Sequence, residues 1–131
     1  MRMDTLKLEI VTPQGLIFEG DVKSVTFPGE EGEFGVLPKH ASLLSLLKPG
    51  VIEIEKADGT KESIVINWGH VKVDENKAVA LVDGAIPLAG ATESEIAKRI
   101  EEAKELVEKA SENKAALATV EARIEKAAKI I

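Results

Sequence analysis

Val51-Ile52-Glu53-Ile54-Glu55-Lys56-Ala57-Asp58-Gly59-Thr60-Lys61-Glu62-Ser63-Ile64-Val65-Ile66-Asn67 is the stretch that sets the fold class. In an extended chain successive side chains point to opposite faces, so Ile52 and Ile54 share one face and Ile64 and Ile66 share another. Between them Asp58-Gly59 reads as a two-residue turn, a type that needs positive φ at both positions. The expectation is a β-hairpin joining residues 51–56 to residues 61–67.

The same period extends in both directions. Leu6, Leu8 and Ile10 alternate with Lys7 and Glu9, and the pairs Val71/Val73 and Val79/Leu81 repeat the arrangement, so each predicts a half-buried strand with those apolar residues turned inward. Pro13-Gln14-Gly15, Lys48-Pro49-Gly50 and Asp74-Glu75-Asn76 are turn sequences between them. Roughly eight to ten short strands at this spacing predict an antiparallel β-sandwich or flattened barrel over residues 1–88.

Past Gly90 the period changes. Ile96, Ile100, Ala103, Val107 and Ala110 fall on one helical seam, and Leu117, Val120, Ile124, Ala127 and Ile131 on another. Thr92 with Glu95 forms a capping box that starts the first helix near residue 93, and Ser111-Glu112-Asn113 ends it, with Asn113 as cap of the second. Residues 91–131 are therefore predicted to form an antiparallel two-helix hairpin. Glu95/Arg99, Glu105/Lys109 and Glu125/Lys129 lie four apart off the seams, and such pairs contribute only about 0.2–0.5 kcal/mol each. Two such short helices need another surface to cover their seams, and Gly84, Pro87 and Gly90 supply a connection on which they could move.

Composition excludes several functions. The 131 residues carry a net charge of −6, which repels a phosphate backbone, so nucleic acid is not an expected partner. There is no cysteine for disulfides or thiol chemistry. The N-terminus lacks a signal-peptide pattern, and no apolar run approaches the ~20 residues that cross a bilayer, so membrane association is expected only through partners. No Gly-x-x-x-x-Gly-Lys-Ser/Thr motif occurs, which removes the phosphate loop of a catalytic ATPase.

Pro28-Gly29-Glu30-Glu31-Gly32-Glu33-Phe34-Gly35-Val36-Leu37-Pro38-Lys39-His40 places glycine at every third position between two prolines. Glycines 29, 32 and 35 permit positive φ and close backbone approach, so the segment reads as a stiff, acidic, exposed loop that turns repeatedly. Glu30, Glu31 and Glu33 repel phosphate, and no oxygen-rich continuation makes them a calcium loop, so no metal is expected. His40 and His70 are the two histidines. An acid–base enzyme would need His40 as base oriented by Glu33 or Glu31, against the simpler expectation of a histidine closing a turn. Trp68-Gly69-His70, at a strand junction, is expected to pack or pair locally.

With Ala41-Ser42-Leu43-Leu44-Ser45-Leu46-Leu47-Lys48-Pro49-Gly50 after it, this segment resembles the signature of the ε subunit of F-type ATP synthases, in which Pro-Gly-x-x-Gly-x-x-Gly leads into Leu-Pro-x-His-Ala and Leu-Lys-Pro-Gly. The resemblance covers essentially the whole chain. It implies a non-catalytic central-stalk subunit whose sandwich binds the γ subunit and rests on the c ring, coupling proton-driven rotation to ATP synthesis at the cytoplasmic face of the bacterial membrane. It implies partner contacts at Glu31, Glu33 and His40. It also implies a regulatory hairpin that either folds against the sandwich or extends toward the α and β subunits and hinders ATP hydrolysis. Some members bind ATP through Ile/Leu-Asp-x-x-Arg-Ala. Here Glu95-Ile96-Ala97-Lys98-Arg99-Ile100 keeps the arginine and loses the other three defined positions, so neither ATP nor another cofactor is expected. Arg99, Arg123, Lys98 and Lys126 are candidates for contact with phosphate or with acidic segments of β, against plain solvent exposure. The alternative reading is a free-standing β-sandwich interaction module with a dimerising hairpin.

Overall fold

Alternation of apolar and charged residues becomes alternation of burial. In β1 (Leu6–Thr12) Leu6, Leu8 and Ile10 are fully buried, and Lys7 and Glu9 turn outward. The structure, a computed structural model, describes residues 4–39, 41–88, 93–110 and 114–130. These form β1, β2 (Gly15–Gly29), β3 (Gly32–Val36), β4 (Leu43–Leu47), β5 (Gly50–Lys56), β6 (Lys61–Ile66), β7 (Gly69–Val73), β8 (Lys77–Val82), β9 (Ala85–Pro87), α1 (Glu93–Ala110) and α2 (Lys114–Ile130).

The strands form one sheet in the order β1-β8-β7-β4-β2-β5-β6-β9, with β3 also on β2. The 15-residue β2 organises it. Residues 15–22 of β2 pair with β1, Val22–Thr26 with β5, Val25–Gly29 with β3, and Gly29 with Leu47 of β4. Because β1 pairs with both β2 and β8, the path β1-β8-β7-β4-β2 returns to its start, which makes a flattened, closed sandwich. The pairings are antiparallel except β1 with β8, which runs parallel from Lys7↔Lys77 to Val11↔Leu81. This one pair departs from the antiparallel expectation, because a period of two carries no strand direction. Phe27, Ile52, Ile54, Ile64, Ile66, Val71 and Val73 fill the interior with the residues of β1.

Two expectations change. In β8 it is Ala78, Ala80 and Val82 that point inward, while Val79 is half-buried and Leu81 is exposed. Ala78 lies beside Leu8 and Val73, and Ala80 beside Ile10 and Val71, so large neighbours already occupy the space a leucine would need. The β5–β6 connection is a four-residue loop, Ala57 to Thr60, closed by the Lys56 N–H to the Thr60 carbonyl at 2.8 Å; Gly59 has positive φ (89°) and Asp58 does not. The Asp58 carboxylate explains this. It accepts from the Thr60 N–H (2.9 Å) and hydroxyl (2.6 Å), which holds the loop and keeps the carboxyl below the usual carboxylate range.

The helical seams find their covering surface on the sandwich. Ala103 and Val107 of α1 and Val120, Ile124 and Ala127 of α2 pack with Val51, Val65 and Leu88, flanked by Ile86, Ile100 and Leu117. Val51 and Val65 are cross-strand partners pointing away from Ile52 and Ile64, so β5 and β6 are buried on both faces. Full burial of a side chain such as Val107 or Ile124 contributes about 1.5–3 kcal/mol, and this second core is what holds the hairpin. Thr92, Gly90, the Ser111–Asn113 break with its Asn113 cap, and Ile131 lie outside the described residues.

Candidate partner-binding site

The acidic segment is a β-hairpin, not a repeatedly turning loop. Gly29 pairs with Gly32, and Glu30-Glu31 form its two-residue tip. The glycines have different reasons. Gly32 takes φ +131°, and a Cβ on Gly29 would sit 2.6 Å from the Gly32 carbonyl oxygen and 2.8 Å from the Phe34 ring. Gly35 needs neither freedom: it lies in β3 opposite Thr26 with open space around it. Beneath the tip the Phe27 and Phe34 rings meet at 5.7 Å between centroids. The Glu30 N–H donates to the Leu46 carbonyl (2.9 Å) and the Lys48 N–H to the Pro28 carbonyl (3.0 Å), tying the tip to β4.

That tie sets the carboxylates beside an apolar surface. Leu44 and Leu46 are 73% and 61% exposed, and with Leu43, Phe34 and the glutamates they line a shallow concavity. The register continues the surface across the strands: Leu46 pairs with His70, and His70 with Leu81, which is 44% exposed. Trp68 stands at the end of this row. Its backbone N–H donates to Asn67 Oδ1 (2.8 Å) and its carbonyl accepts from the Asp83 N–H (3.0 Å), so the segment pairs locally as expected, but the indole is 50% exposed. Buried Asn67 also receives the Gly84 N–H (2.7 Å) and donates to Asp83 (3.0 Å), fixing this corner. The sequence reading missed the row. Its one local trace is β4 itself, whose leucines occur on both faces.

The sequence-predicted residues separate. Glu31 is exposed at the tip. Glu33, two residues on and in β3, forms an ion pair with Arg123 of α2, 90 residues away. Arg99 goes elsewhere: from α1 its Nη1 donates to the Pro87 carbonyl (3.2 Å) on β9. Lys98 and Lys126 are solvent-exposed, Lys126 one turn after Arg123. His40 lies outside the described residues; just before it Lys39 takes φ 66° and pairs with Asp4 at 3.6 Å. Among the described residues no cluster of acidic or histidine side chains has the arrangement of a metal site, and no helix is long and apolar enough to cross a membrane.

This architecture coincides with a known family. Residues 5–88 match the family model described as ATP synthase, Delta/Epsilon chain, beta-sandwich domain. An ATP synthase epsilon chain of Nitratiruptor sp. is 86% identical over 129 residues, covering 98% of this chain and all of that one. That of Campylobacter fetus is 61% identical over 127 residues, covering 97% and 98%. Among solved structures, a chain of the Euglena gracilis mitochondrial ATP synthase, solved with OSCP, F1 and the c-ring, superposes with a TM-score of 0.62 at 28% identity over 97% of this chain and 76% of that one. A chain of the Tetrahymena thermophila mitochondrial ATP synthase central stalk and c-ring shares the fold at a TM-score of 0.54 and 16% identity, over 84% and 98%. With a sandwich, an appended helical hairpin and relatives of this identity along its length, the chain belongs to the ATP synthase delta/epsilon family, as a non-catalytic subunit of that complex.

Proposed function

We propose that residues 1–88 form the assembly module, with the γ subunit on the exposed row and the c ring at the acidic tip, and that residues 91–131 form the regulatory module. The observation that carries this is the row Leu44, Leu46, His70 and Leu81 standing uncovered beside Glu30 and Glu31. An apolar surface with a charged rim is the anatomy of a protein interface, and it lies on strands other than those that seat the hairpin. Glu31 and Glu33 belong to the rim, and His40 is assigned to the same partner on the family resemblance alone. In this reading the subunit sits peripherally at the cytoplasmic face of the bacterial membrane, transmits rotation through the sandwich, and restrains hydrolysis when the hairpin leaves its seat for the α and β subunits, with Arg99, Arg123, Lys98 and Lys126 available to acidic segments there. The packing of the described seam residues Ala103, Val107, Val120, Ile124 and Ala127 with Val51 and Val65 supports this reading over the dimerising-hairpin alternative.

The test is reconstitution with γ, the c ring and the α and β subunits. Leu46→Asp with Leu81→Asp is expected to weaken association with γ by more than ten-fold, as loss of a buried anchor does. A chain ending at Ala89 keeps the sandwich core and is expected to bind γ and to raise ATP hydrolysis. Undiminished binding of the Asp variant, or failure of the truncated chain to bind, would overturn the assignment.

A further inference from the structure

Glu33 belongs to the acidic hairpin, yet its carboxylate is held by Arg123 of α2. The pair sits at the margin of the hairpin's apolar seat. Ile124, the next residue, is fully buried in that seat, while the Arg123 and Glu33 side chains retain 43% and 34% of their exposure. A pair open to water can be taken apart by a competing cation at little cost. Glu30 and Glu31 stay exposed at the tip, so a partner arriving there meets two free carboxylates and a third already engaged.

We propose that Glu33 is shared between two mutually exclusive contacts: Arg123 when the hairpin is seated, and a basic side chain of the partner at the acidic tip when it is not. The proposal deepens the assignment above and rests on it. A carboxylate vacated by a guanidinium is a cation site, and it faces the surface already assigned to a partner. Linkage then makes the effect reciprocal: docking at the tip loosens the hairpin by the same factor by which seating the hairpin weakens docking. Partner contact and hairpin position are thereby coupled through one carboxylate.

The chain has no cysteine, so spin labels can be placed at Lys61→Cys on β6 and Glu105→Cys on α1 in the full chain to read the ratio of unseated to seated hairpin. Glu33→Arg or Arg123→Glu alone is expected to raise that ratio about two- to five-fold, the range of an exposed ion pair, and the two together to return it toward wild type. Two effects that simply add would overturn the latch, and recovery in the double variant guards against misfolding. Binding to the purified γ–c-ring subcomplex is the second measurement. Arg123→Ala is expected to strengthen it about two- to five-fold and Glu33→Ala to weaken it. Coupling between the pair with binding indifferent to Arg123→Ala would overturn the sharing. Coupling with binding indifferent to Glu33→Ala would instead overturn the partner assignment of the tip and leave the latch standing.

Discussion

Lys104 Nζ on α1 lies 2.5 Å from Glu125 Oε1 on α2, a charge-assisted hydrogen bond across the helical hairpin. The hydrogen bond to Glu125 holds the Lys104 ammonium above the usual lysine range against a smaller opposing effect of burial, and the Glu125, Glu101 and Glu121 charges add to it. A base whose folded pKa is raised contributes stability in full below its unfolded value, 10.5, and loses it as pH rises through the folded one. The difference in melting temperature between the native chain and Lys104→Met is therefore expected to stay constant from pH 7 to about 9.5 and to shrink above about 10.5. Melts followed by circular dichroism across that range check it.

Val107 is fully buried in the seat that α1 shares with Val65 and Leu88. Val107→Asp places a carboxylate there without a partner, at a cost of several kcal/mol unless the helix leaves. The sandwich core contains no helical residue, so the sheet is expected to keep its cooperative melt while amide exchange in α1 and α2 accelerates at least ten-fold. Loss of sheet structure along with the helices would show that the two cores are one unit.

The parity of β8 has a simple test. Ala80→Leu forces a large side chain between Ile10 and Val71 and is expected to cost about 1–3 kcal/mol, whereas Leu81→Ser, on the exposed face, is expected to stay within about 0.5 kcal/mol. Urea unfolding of the two variants reads the difference. The opposite order would restore the inward placement of Leu81.

Gly29 and Gly35 belong to one motif and are expected to respond differently. Gly29→Ala drives a methyl into the Gly32 carbonyl and the Phe34 ring and is expected to destabilise the chain by about 1–3 kcal/mol, while Gly35→Ala is expected to stay within about 0.5 kcal/mol. Urea midpoints of the two variants measure this.

Where neighbouring residues contrast strongly, the sequence was legible. Lys7 between Leu6 and Leu8 leaves one parity for β1, and Ala103/Val107 and Val120/Ile124/Ala127 each lie on a seam flanked by charge. β8 offers Ala-Val-Ala-Leu-Val, where both faces are apolar and volume decides, and volume depends on Leu8 and Ile10 more than sixty residues away. The reach of β2 was hidden by Pro28 and Gly29, which read as the start of a loop but are tolerated in the strand because β3 holds the backbone extended. Of the site, the acidic residues were legible and their geometry was not. Nothing local to Glu33 or Arg123 announces the other, and the row from Leu46 to Leu81 exists only once β4, β7 and β8 are side by side.

The length of β2 has a mechanical meaning. A push on the acidic tip enters that strand at Gly29 and meets ladders to β3, β5 and β1 in succession along its 15 residues. Those ladders resist in shear, loaded together, so the strand cannot peel from one neighbour without straining the next. Deformation is thereby spread over most of the sandwich, and the domain answers an off-axis force at its edge by turning as a block.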